Sequence, residues 1–154
     1  MKGAPPSSRV AHQLHPPSLN PPPRKKPVLI SGMLRTFLHG KIHRATVTDA
    51  SADYEGSMAV STDLMEAAGM RPGEKILVGV INTGARFETY LIPAPAGAGA
   101  IVLNGATAHL GKKGDQVTIM TFAQLTPDQV RQHRAKSVLL GAGNQIAKIS
   151  EIAA

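Results

Sequence analysis

Residues 76–92, ILVGVINTGARFETYLI, contain two runs of apolar and β-branched residues on either side of a short turn. Residues 76–81 and 87–92 have the composition of strands, while Asn82-Thr83-Gly84 between them is typical of a hairpin turn. Two such runs so close together in the chain pair most readily as antiparallel strands. The segment therefore predicts a hairpin, and with it a fold that is mainly β.

Four more segments show the alternation or the β-branched composition of strands: residues 34–39, 41–48, 101–103 and 117–122. Gly40 separates the first two of them. A last small hairpin is predicted from residues 138–140 and 146–149. Many short strands with one or two short helices favour a small, closed β-barrel.

One helix interrupts the strands between Ser61 and Gly69. Ser61 has a hydroxyl that can cap the first turn, Asp63 places a negative charge near the positive end, and Gly69 suits the last position. The apolar face of this helix consists of Leu64, Met65 and Ala68. We expect that face to pack on the core.

A second helix is predicted to start at Thr126. Pro127 suits the first helical position, and Gln129 completes a Thr-x-x-Gln capping box. This helix and the last hairpin make up the predicted C-terminal tail, residues 126–154.

The formal net charge of +7 is located at the two ends of the chain. Residues 33–125 carry eight basic and eight acidic side chains, whereas residues 1–32 carry five basic and no acidic ones. A nucleic-acid-binding domain usually bears its positive patch on the folded part, often with aromatic side chains for stacking. A nucleic-acid-binding module is therefore only the second hypothesis, and we expect no nucleic-acid partner.

Residues 1–32 contain eight of the twelve prolines. Proline cannot donate to a sheet or continue a helix, so this segment is predicted to be a disordered, basic extension. The prolines also argue against the amphipathic helix of a transit peptide, and Val28-Leu29-Ile30 is too short for a secretory signal. We interpret the segment as an extension or a misassigned start, and favour Met33 over Met1 as the translation start.

The chain has no cysteine, which excludes disulfides, thiolate catalysis and cysteine-type zinc sites. The histidines have no spacing typical of metal ligands, so no metal is expected. No apolar run approaches the roughly 18 residues of a membrane span, so no membrane association is expected. We therefore expect a cytoplasmic protein.

The stretch Tyr54-Glu55-Gly56-Ser57 combines a flexible glycine with a hydroxyl nucleophile. Gly-Ser alone is a common turn dipeptide, but here the apolar run Met58-Ala59-Val60 follows where a strand should begin. Attack of the Ser57 hydroxyl on the Gly56 carbonyl carbon closes a five-membered ring, so proximity favours the reaction. Gly56 also allows strained backbone conformations that other residues resist.

Four stretches occur in the order MLRTFLHGKIHR (33–44), YEGS (54–57), TGARFETY (83–90) and VLNGATAH (102–109). Together they resemble the bacterial aspartate 1-decarboxylase family, with matching order and spacing over residues 33–125 and a weaker match in the C-terminal tail. The combination is specific, although no single stretch is. The resemblance implies that residues 33–125 form a closed double-psi β-barrel.

Members of this family are made as inactive precursors, and the resemblance implies self-cleavage between Gly56 and Ser57. Ester formation, β-elimination and loss of ammonia would convert Ser57 into a pyruvoyl group at a new N-terminus. That covalent cofactor would form a Schiff base with L-aspartate and accept electrons while CO2 leaves. The product would be β-alanine for pantothenate biosynthesis, and neither pyridoxal phosphate nor a metal would be needed.

The resemblance also assigns roles to charged and phenolic side chains. Arg86, with its planar fork, and Lys41 would bind the carboxylates of a dicarboxylic substrate. Tyr90 would donate a proton to the Cα carbanion, because a phenol keeps its proton at neutral pH. Without the resemblance, Arg86 and Lys41 are more typical of solvated surface positions, and Tyr90 is compatible with packing in the barrel.

The remaining assignments concern processing and substrate contact. Tyr54 would position the scissile segment, and Thr89 would stabilise the oxyanion formed at Gly56. Substrate contacts are assigned to Asn104, Gly105, Ala106 and His43. On a regular strand Thr89 and Tyr90 face opposite sides, so a bulge or the approach of another subunit has to reconcile their roles.

The resemblance implies a homo-oligomer, a tetramer of cleaved protomers with active sites between subunits. The sequence leaves open whether cleavage is spontaneous or requires a maturation factor. A homologue that folds and assembles without processing is the third hypothesis. The joint presence of Ser57, Arg86, Thr89 and Tyr90 argues against it.

Overall fold

The structure is a computed structural model that describes residues 32–154, so the predicted N-terminal extension falls almost wholly outside the described residues. Strands dominate the described part. They are β1 (Arg35–Thr46), β2 (Asp49–Ser51), β3 (Met58–Ser61), β4 (Lys75–Val80), β5 (Arg86–Ala94), β6 (Ile101–Asn104), β7 (Gln116–Leu125), β8 (Arg134–Leu140) and β9 (Ile146–Ala153). Two short helices, α1 (Thr62–Ala67) and α2 (Pro127–Val130), and two 3₁₀ turns, Gly105–His109 and Ala142–Asn144, connect them.

The nine strands form one sheet in the order β2-β6-β3-β5-β4-β7-β1-β8-β9. The predicted hairpins are both present, since β4 pairs antiparallel with β5 and β8 pairs antiparallel with β9. The C-terminal tail joins the sheet through parallel pairing of β8 with β1. The arrangement confirms a mainly β fold with two short helices and is consistent with a small β-barrel.

The core contains aliphatic side chains and methionines from nearly every strand and from α1. Its largest fully buried members are Ile42, Met58, Leu64, Met65, Ile76, Leu91, Ile101, Leu103 and Ile119. Strand β3 lies at the centre of this packing, between β5 in parallel and β6 in antiparallel pairing. The residue that precedes β3 is therefore held on two sides by neighbouring strands.

The two helices begin in different ways. In α2 the predicted capping box is confirmed, because Thr126 Oγ1 accepts from the Gln129 N–H and the Gln129 side chain accepts from the Thr126 N–H. In α1 the predicted Ser61 cap is wrong: the Ser61 hydroxyl makes no capping bond and instead accepts from the Ala100 N–H at 2.8 Å. The Ser61 hydroxyl thus forms its hydrogen bond with Ala100, just before β6, in place of the local cap.

The predicted break at Gly40 does not occur, and β1 continues for twelve residues. Its pairing with β7 instead shifts twice, between Leu38 and Gly40 and again between Ile42 and Ala45. A side chain at Gly40 would collide with the Ala68 carbonyl at the end of α1. Gly40 is thus required for close approach of the helix rather than for a turn.

Among residues 32–154, no helix is long and apolar enough to cross a membrane.

Candidate active site

The stretch before β3 folds into a tight turn that presents the Gly56–Ser57 peptide bond. The Gly56 N–H donates to the Tyr54 carbonyl at 2.7 Å, a bond between residues two apart that is typical of a γ-turn. The φ angles of Gly56 and Ser57 are both positive, +47° and +77° respectively. Glycine tolerates such an angle, but a residue with a Cβ is strained there by roughly 1 to 3 kcal/mol.

The Ser57 side chain is buried yet makes no hydrogen bond within the described protein. Only 4% of the residue is exposed, and its Oγ has no protein partner. A buried hydroxyl without a partner is uncommon, because the lost solvation is not replaced. This hydroxyl is therefore not held in place by a competing acceptor and is one residue away from the Gly56 carbonyl carbon.

The 3₁₀ turn at Gly105–His109 packs against the turn at residues 54–57. The Asn104 N–H donates to the Ser57 carbonyl at 3.0 Å, and Thr107 Oγ1 donates to the Asn104 carbonyl at 2.8 Å. Gly105, at φ +58°, comes so close that a Cβ there would lie 2.9 Å from the Gly56 nitrogen. Ala106, the third residue of the predicted contact stretch, is exposed.

The pairing of β3 with β5 places Tyr90 in the same region. Met58 of β3 pairs with Leu91 of β5, which places Tyr90 beside Ser57 one step earlier along the two parallel strands. Tyr54 and Tyr90, both exposed, line a common groove of about 480 Å³. The structure thus brings Tyr54, Gly56 and Ser57 close to Tyr90, the predicted proton donor, whereas Thr89 faces the other side of β5.

A second groove, of about 330 Å³, contains the two predicted carboxylate ligands. Lys41 and Arg86 both line it, together with residues of β4, β7 and the hairpin turn, and none of the lining residues is acidic. The Arg86 guanidinium lies over Gly79, where a Cβ would be 3.6 Å from Nη1. Within residues 32–154 the only two ion pairs, Lys75–Glu88 and Arg131–Asp128, involve neither cation.

His43 lies at the edge of this cationic groove, at the second irregularity of β1. Arg44 adopts φ +61° there, and the shift in pairing leaves His43 and Arg44 together opposite Thr118. His43 Nδ1 is 3.1 Å from Thr118 Oγ1. Burial, followed by the positive charges of Lys41 and Arg44, lowers the pKa of His43 below its usual 6.5. The lowered pKa favours the neutral form of the imidazole.

The two grooves lie apart within one chain. Arg86 and Tyr90 are four residues apart on β5, a Cα separation of about 13 Å at roughly 3.3 Å per residue. The pairing of β5 with β4 runs from Arg86 to Tyr90 without a shift, so no bulge turns Thr89 towards the side of Tyr90. A bulge therefore does not reconcile the predicted roles of Thr89 and Tyr90 in this part of β5.

Comparison with known proteins decides the family. The aspartate decarboxylase family model matches residues 33–147. The chain belongs to the aspartate decarboxylase family. The aspartate 1-decarboxylase of Neisseria meningitidis is 49% identical over 117 residues, which are 76% of this chain and 92% of the relative. That of Desulfotalea psychrophila is 48% identical over 76% of this chain and 98% of the relative, and that of Carboxydothermus hydrogenoformans is 46% identical over 77% and 94%.

Membership in the aspartate decarboxylase family confirms the resemblance read from the four sequence stretches and classifies the chain as an enzyme. The match extends into β9, beyond residues 33–125, over which the four sequence stretches resemble the family most clearly. Between residues 32 and 154, no group of three or more His, Cys, Asp or Glu side chains is arranged to hold a metal ion.

Two residues of the candidate site were not singled out from the sequence. Thr107 supports the turn that contacts Ser57, and its place within the stretch 102–109 was the available signal. Thr118 contacts His43 and lines the cationic groove. In the sequence, Thr118 stands out only as a threonine within the apolar run of β7. A threonine in such a run usually just favours a strand.

Proposed function

We propose that this chain decarboxylates L-aspartate to β-alanine and CO2, using a pyruvoyl group that it generates from its own Ser57. The observation that carries the proposal is the buried, unpartnered Ser57 hydroxyl in a turn with two positive φ angles. The features that a self-cleaving serine needs are an unengaged nucleophile, a neighbouring carbonyl and stored strain. All three coincide at the Gly56–Ser57 bond.

Cleavage begins when Ser57 Oγ attacks the Gly56 carbonyl carbon. The new C–O bond replaces the C–N bond, and the hydroxyl proton passes to the released amine. β-Elimination then breaks the Ser57 Cα–H and Cβ–O bonds: the Cα proton passes to water, the Gly56 carboxylate leaves and dehydroalanine remains. Water adds at Cα of the imine tautomer of dehydroalanine, and the nitrogen leaves as ammonia. The first step relieves the positive φ of Ser57, since the chain is no longer continuous through that peptide bond.

The residues around Ser57 fit the group that would replace it. Once formed, the pyruvoyl group supplies the electron sink that decarboxylation of an amino acid requires. The Asn104 N–H, 3.0 Å from the Ser57 carbonyl, holds the adjacent amide in place. Tyr90, beside Ser57 through the pairing of β3 with β5, donates a proton to the Cα of the product. Tyr54 positions the cleaved segment through its bond to Gly56.

Substrate specificity resides in the cationic groove. Lys41 and Arg86, without acidic partners in the described protein, present a point charge and a planar fork to the substrate carboxylates. His43 contacts Thr118, which lines the groove, and its lowered pKa favours the neutral form, so it adds a polar group rather than a third charge. A dicarboxylic amino acid matches this arrangement better than a monocarboxylic one.

The separation of the two grooves supports an assembled enzyme. We infer a homotetramer in which the groove of Tyr54 and Tyr90, next to Ser57, on one protomer faces the Lys41 and Arg86 groove of its neighbour. The same approach brings Thr89 of one protomer to the scissile segment of another. Cleavage is either spontaneous on assembly or promoted by a maturation factor. The enzyme acts in the cytoplasm, where its β-alanine enters pantothenate synthesis.

The test is intact mass spectrometry of the purified, denatured protein, followed by an assay of β-alanine from L-aspartate. We expect two chains that end at Gly56 and begin at residue 57. The second should be lighter than a serine-started chain by the mass of ammonia and should resist Edman degradation. An uncut chain that stays uncut in cell extract yet decarboxylates aspartate would overturn the proposal.

A further inference from the structure

The Ser57 carbonyl oxygen lies within reach of two hydrogen-bond donors. The Asn104 N–H donates to it at 3.0 Å and continues the antiparallel ladder in which Met58 pairs with Leu103. Thr107 Oγ1 lies 3.4 Å from the same oxygen and 2.8 Å from the Asn104 carbonyl oxygen. A hydroxyl group carries a single proton, so Thr107 donates fully to only one of these two carbonyls at a time.

The two distances from Thr107 Oγ1 show which carbonyl receives the proton in the uncut chain. The Asn104 carbonyl is at the usual distance for an O–H donor, whereas the distance to the Ser57 carbonyl is long. A negative charge on the Ser57 oxygen would reverse this preference, because hydrogen bonds to ionised acceptors are shorter and roughly twice as strong. Thr107 is therefore positioned to donate to the Ser57 oxygen once that oxygen becomes charged.

The proposed self-cleavage places negative charge on this oxygen in one step, the β-elimination. When the Ser57 Cα proton passes to water, the electron pair of the C–H bond shifts onto the adjacent carbonyl oxygen. The pair returns to form the Cα=Cβ double bond as the Cβ–O bond breaks, and the Gly56 carboxylate leaves with the electrons of that bond. The earlier acyl shift changes the Gly56 carbonyl instead. Donors on the Ser57 carbonyl therefore favour elimination rather than ester formation.

Burial strengthens the effect of both donors. Only 4% of Ser57 and 7% of Thr107 are exposed, so water contributes little to the stabilisation of a charge there. The Asn104 N–H is fixed by the pairing of β3 with β6, and Thr107 is fixed within the 3₁₀ turn that follows β6. Donors that are already in place need no reorganisation when the charge develops.

We propose that the Asn104 N–H and the Thr107 hydroxyl form an oxyanion site on the Ser57 carbonyl that promotes the elimination step of self-cleavage. This assignment rests on the proposed function and names the step at which Thr107 acts. Thr107→Val keeps the shape of the side chain and loses the donor. The variant should still form the ester but should eliminate at least about tenfold more slowly.

The test captures the ester before it eliminates. The folded, full-length Thr107→Val protein is incubated with hydroxylamine at neutral pH, which splits an ester and leaves ordinary peptide bonds intact. Capture yields a chain that ends in a Gly56 hydroxamate and a chain that begins with unmodified Ser57, and intact mass identifies both. We expect capture to be the main route of cleavage in this variant. Without hydroxylamine, the chain that has lost ammonia should appear slowly, and Thr107→Ser, which keeps the hydroxyl, should restore its rate.

Thr121→Val is the matched control, because it makes the same change at a buried threonine whose hydroxyl has no partner in the described protein. It should be cut like the unchanged chain. A Thr107→Val protein that is cut as fast as the unchanged chain would overturn the proposal. So would an uncut Thr107→Val protein from which hydroxylamine captures nothing, since Thr107 would then act before the ester forms.

If Thr107→Val does not fold, Thr107→Ala replaces it and is judged by the same outcomes. The unchanged chain separates this proposal from the proposed function. If the unchanged chain is neither cut nor captured by hydroxylamine, self-cleavage itself is refuted, and the role of Thr107 with it. If the unchanged chain is cut normally and the Thr107 variant matches it, only the role of Thr107 is refuted.

Discussion

Gly105 lies directly against Gly56, so that a Cβ on Gly105 would sit 2.9 Å from both the nitrogen and the Cα of Gly56. The same Cβ would lie 3.1 Å from the Tyr54 carbonyl, which accepts the bond that closes the turn. A Cβ atom in a folded protein does not approach non-bonded atoms so closely unless one of them is displaced. The backbone at Gly105 therefore packs tightly against the segment that contains the Gly56–Ser57 bond, the proposed cleavage site.

Gly105→Ala is expected to slow self-cleavage by about tenfold or more, because the added methyl group displaces the Gly56–Ser57 bond from the Ser57 hydroxyl. The uncut fraction of freshly purified protein is followed by intact mass over time. Gly97→Ala is the matched control, since Gly97 also has a positive φ, +74°, but nothing lies near its added Cβ. If both variants slowed self-cleavage equally, backbone strain alone, and not the contact with Gly56, would be responsible for the slower cleavage.

Ser57→Ala should fold and remain a single chain, because no hydroxyl is left to begin the acyl shift. It should also form no β-alanine from L-aspartate. Intact mass and product analysis measure the two effects. Ser51→Ala, six residues upstream, should be cut and active; a cleaved, active Ser57→Ala protein would contradict the mechanism.

Arg86→Lys should leave cleavage unchanged and lower kcat/KM for aspartate by at least about tenfold, because a point charge cannot reproduce a bidentate grip. Steady-state kinetics of the fully cleaved protein measure the loss. Arg71→Lys, an exposed arginine outside the cationic groove, should behave like the unchanged enzyme. Near-normal efficiency of Arg86→Lys would remove Arg86 from the site.

Tyr90→Phe should be cut normally but decarboxylate aspartate about 100-fold more slowly, the usual loss when a general acid is removed. The ring still occupies the groove, so the processing turn keeps its neighbour. Incorporation of deuterium from solvent at the methylene group of β-alanine that carries the amino group, together with kcat, reports the protonation step. Unchanged kcat would assign the proton to another group.

His43 should titrate below its ordinary value of about 6.5, and Lys41→Met should raise its pKa by removing a neighbouring positive charge. The C2–H resonance of His43 in a pH titration by NMR measures both midpoints. Lys75→Met is the control, because Lys75 pairs with Glu88 instead. An unchanged midpoint in Lys41→Met would show that Lys41 does not act on the imidazole.

The same shift fixes the sign of one contribution to stability. A lowered native pKa means that the unfolded chain binds more protons between that value and about 6.5. The contribution of His43 to the free energy of unfolding is therefore fully present above about pH 6.5. It is lost as the pH falls through the window towards the native pKa.

Local patterns in the sequence were sufficient for most elements. The hairpins β4–β5 and β8–β9 and the capping box at Thr126 depend on residues close together in the chain, and all are confirmed. Prediction failed where a distant partner outweighed the local pattern. Ser61 bonds to the Ala100 N–H instead of capping α1, and Gly40 admits the end of α1 instead of ending a strand.

The sequence by itself determined the strand pattern, the family and the identity of the Gly56–Ser57 pair, because these depend on residue type and spacing. Only the tertiary structure decided that Ser57 has a positive φ and an unpartnered hydroxyl, that Gly105 packs tightly against Gly56, and that Thr118 holds His43. Each of these relationships joins segments that are far apart in the chain or sets a backbone angle that packing imposes. Local residue preferences contain no information about such distant contacts, so the geometry of the site arises only when the sheet assembles.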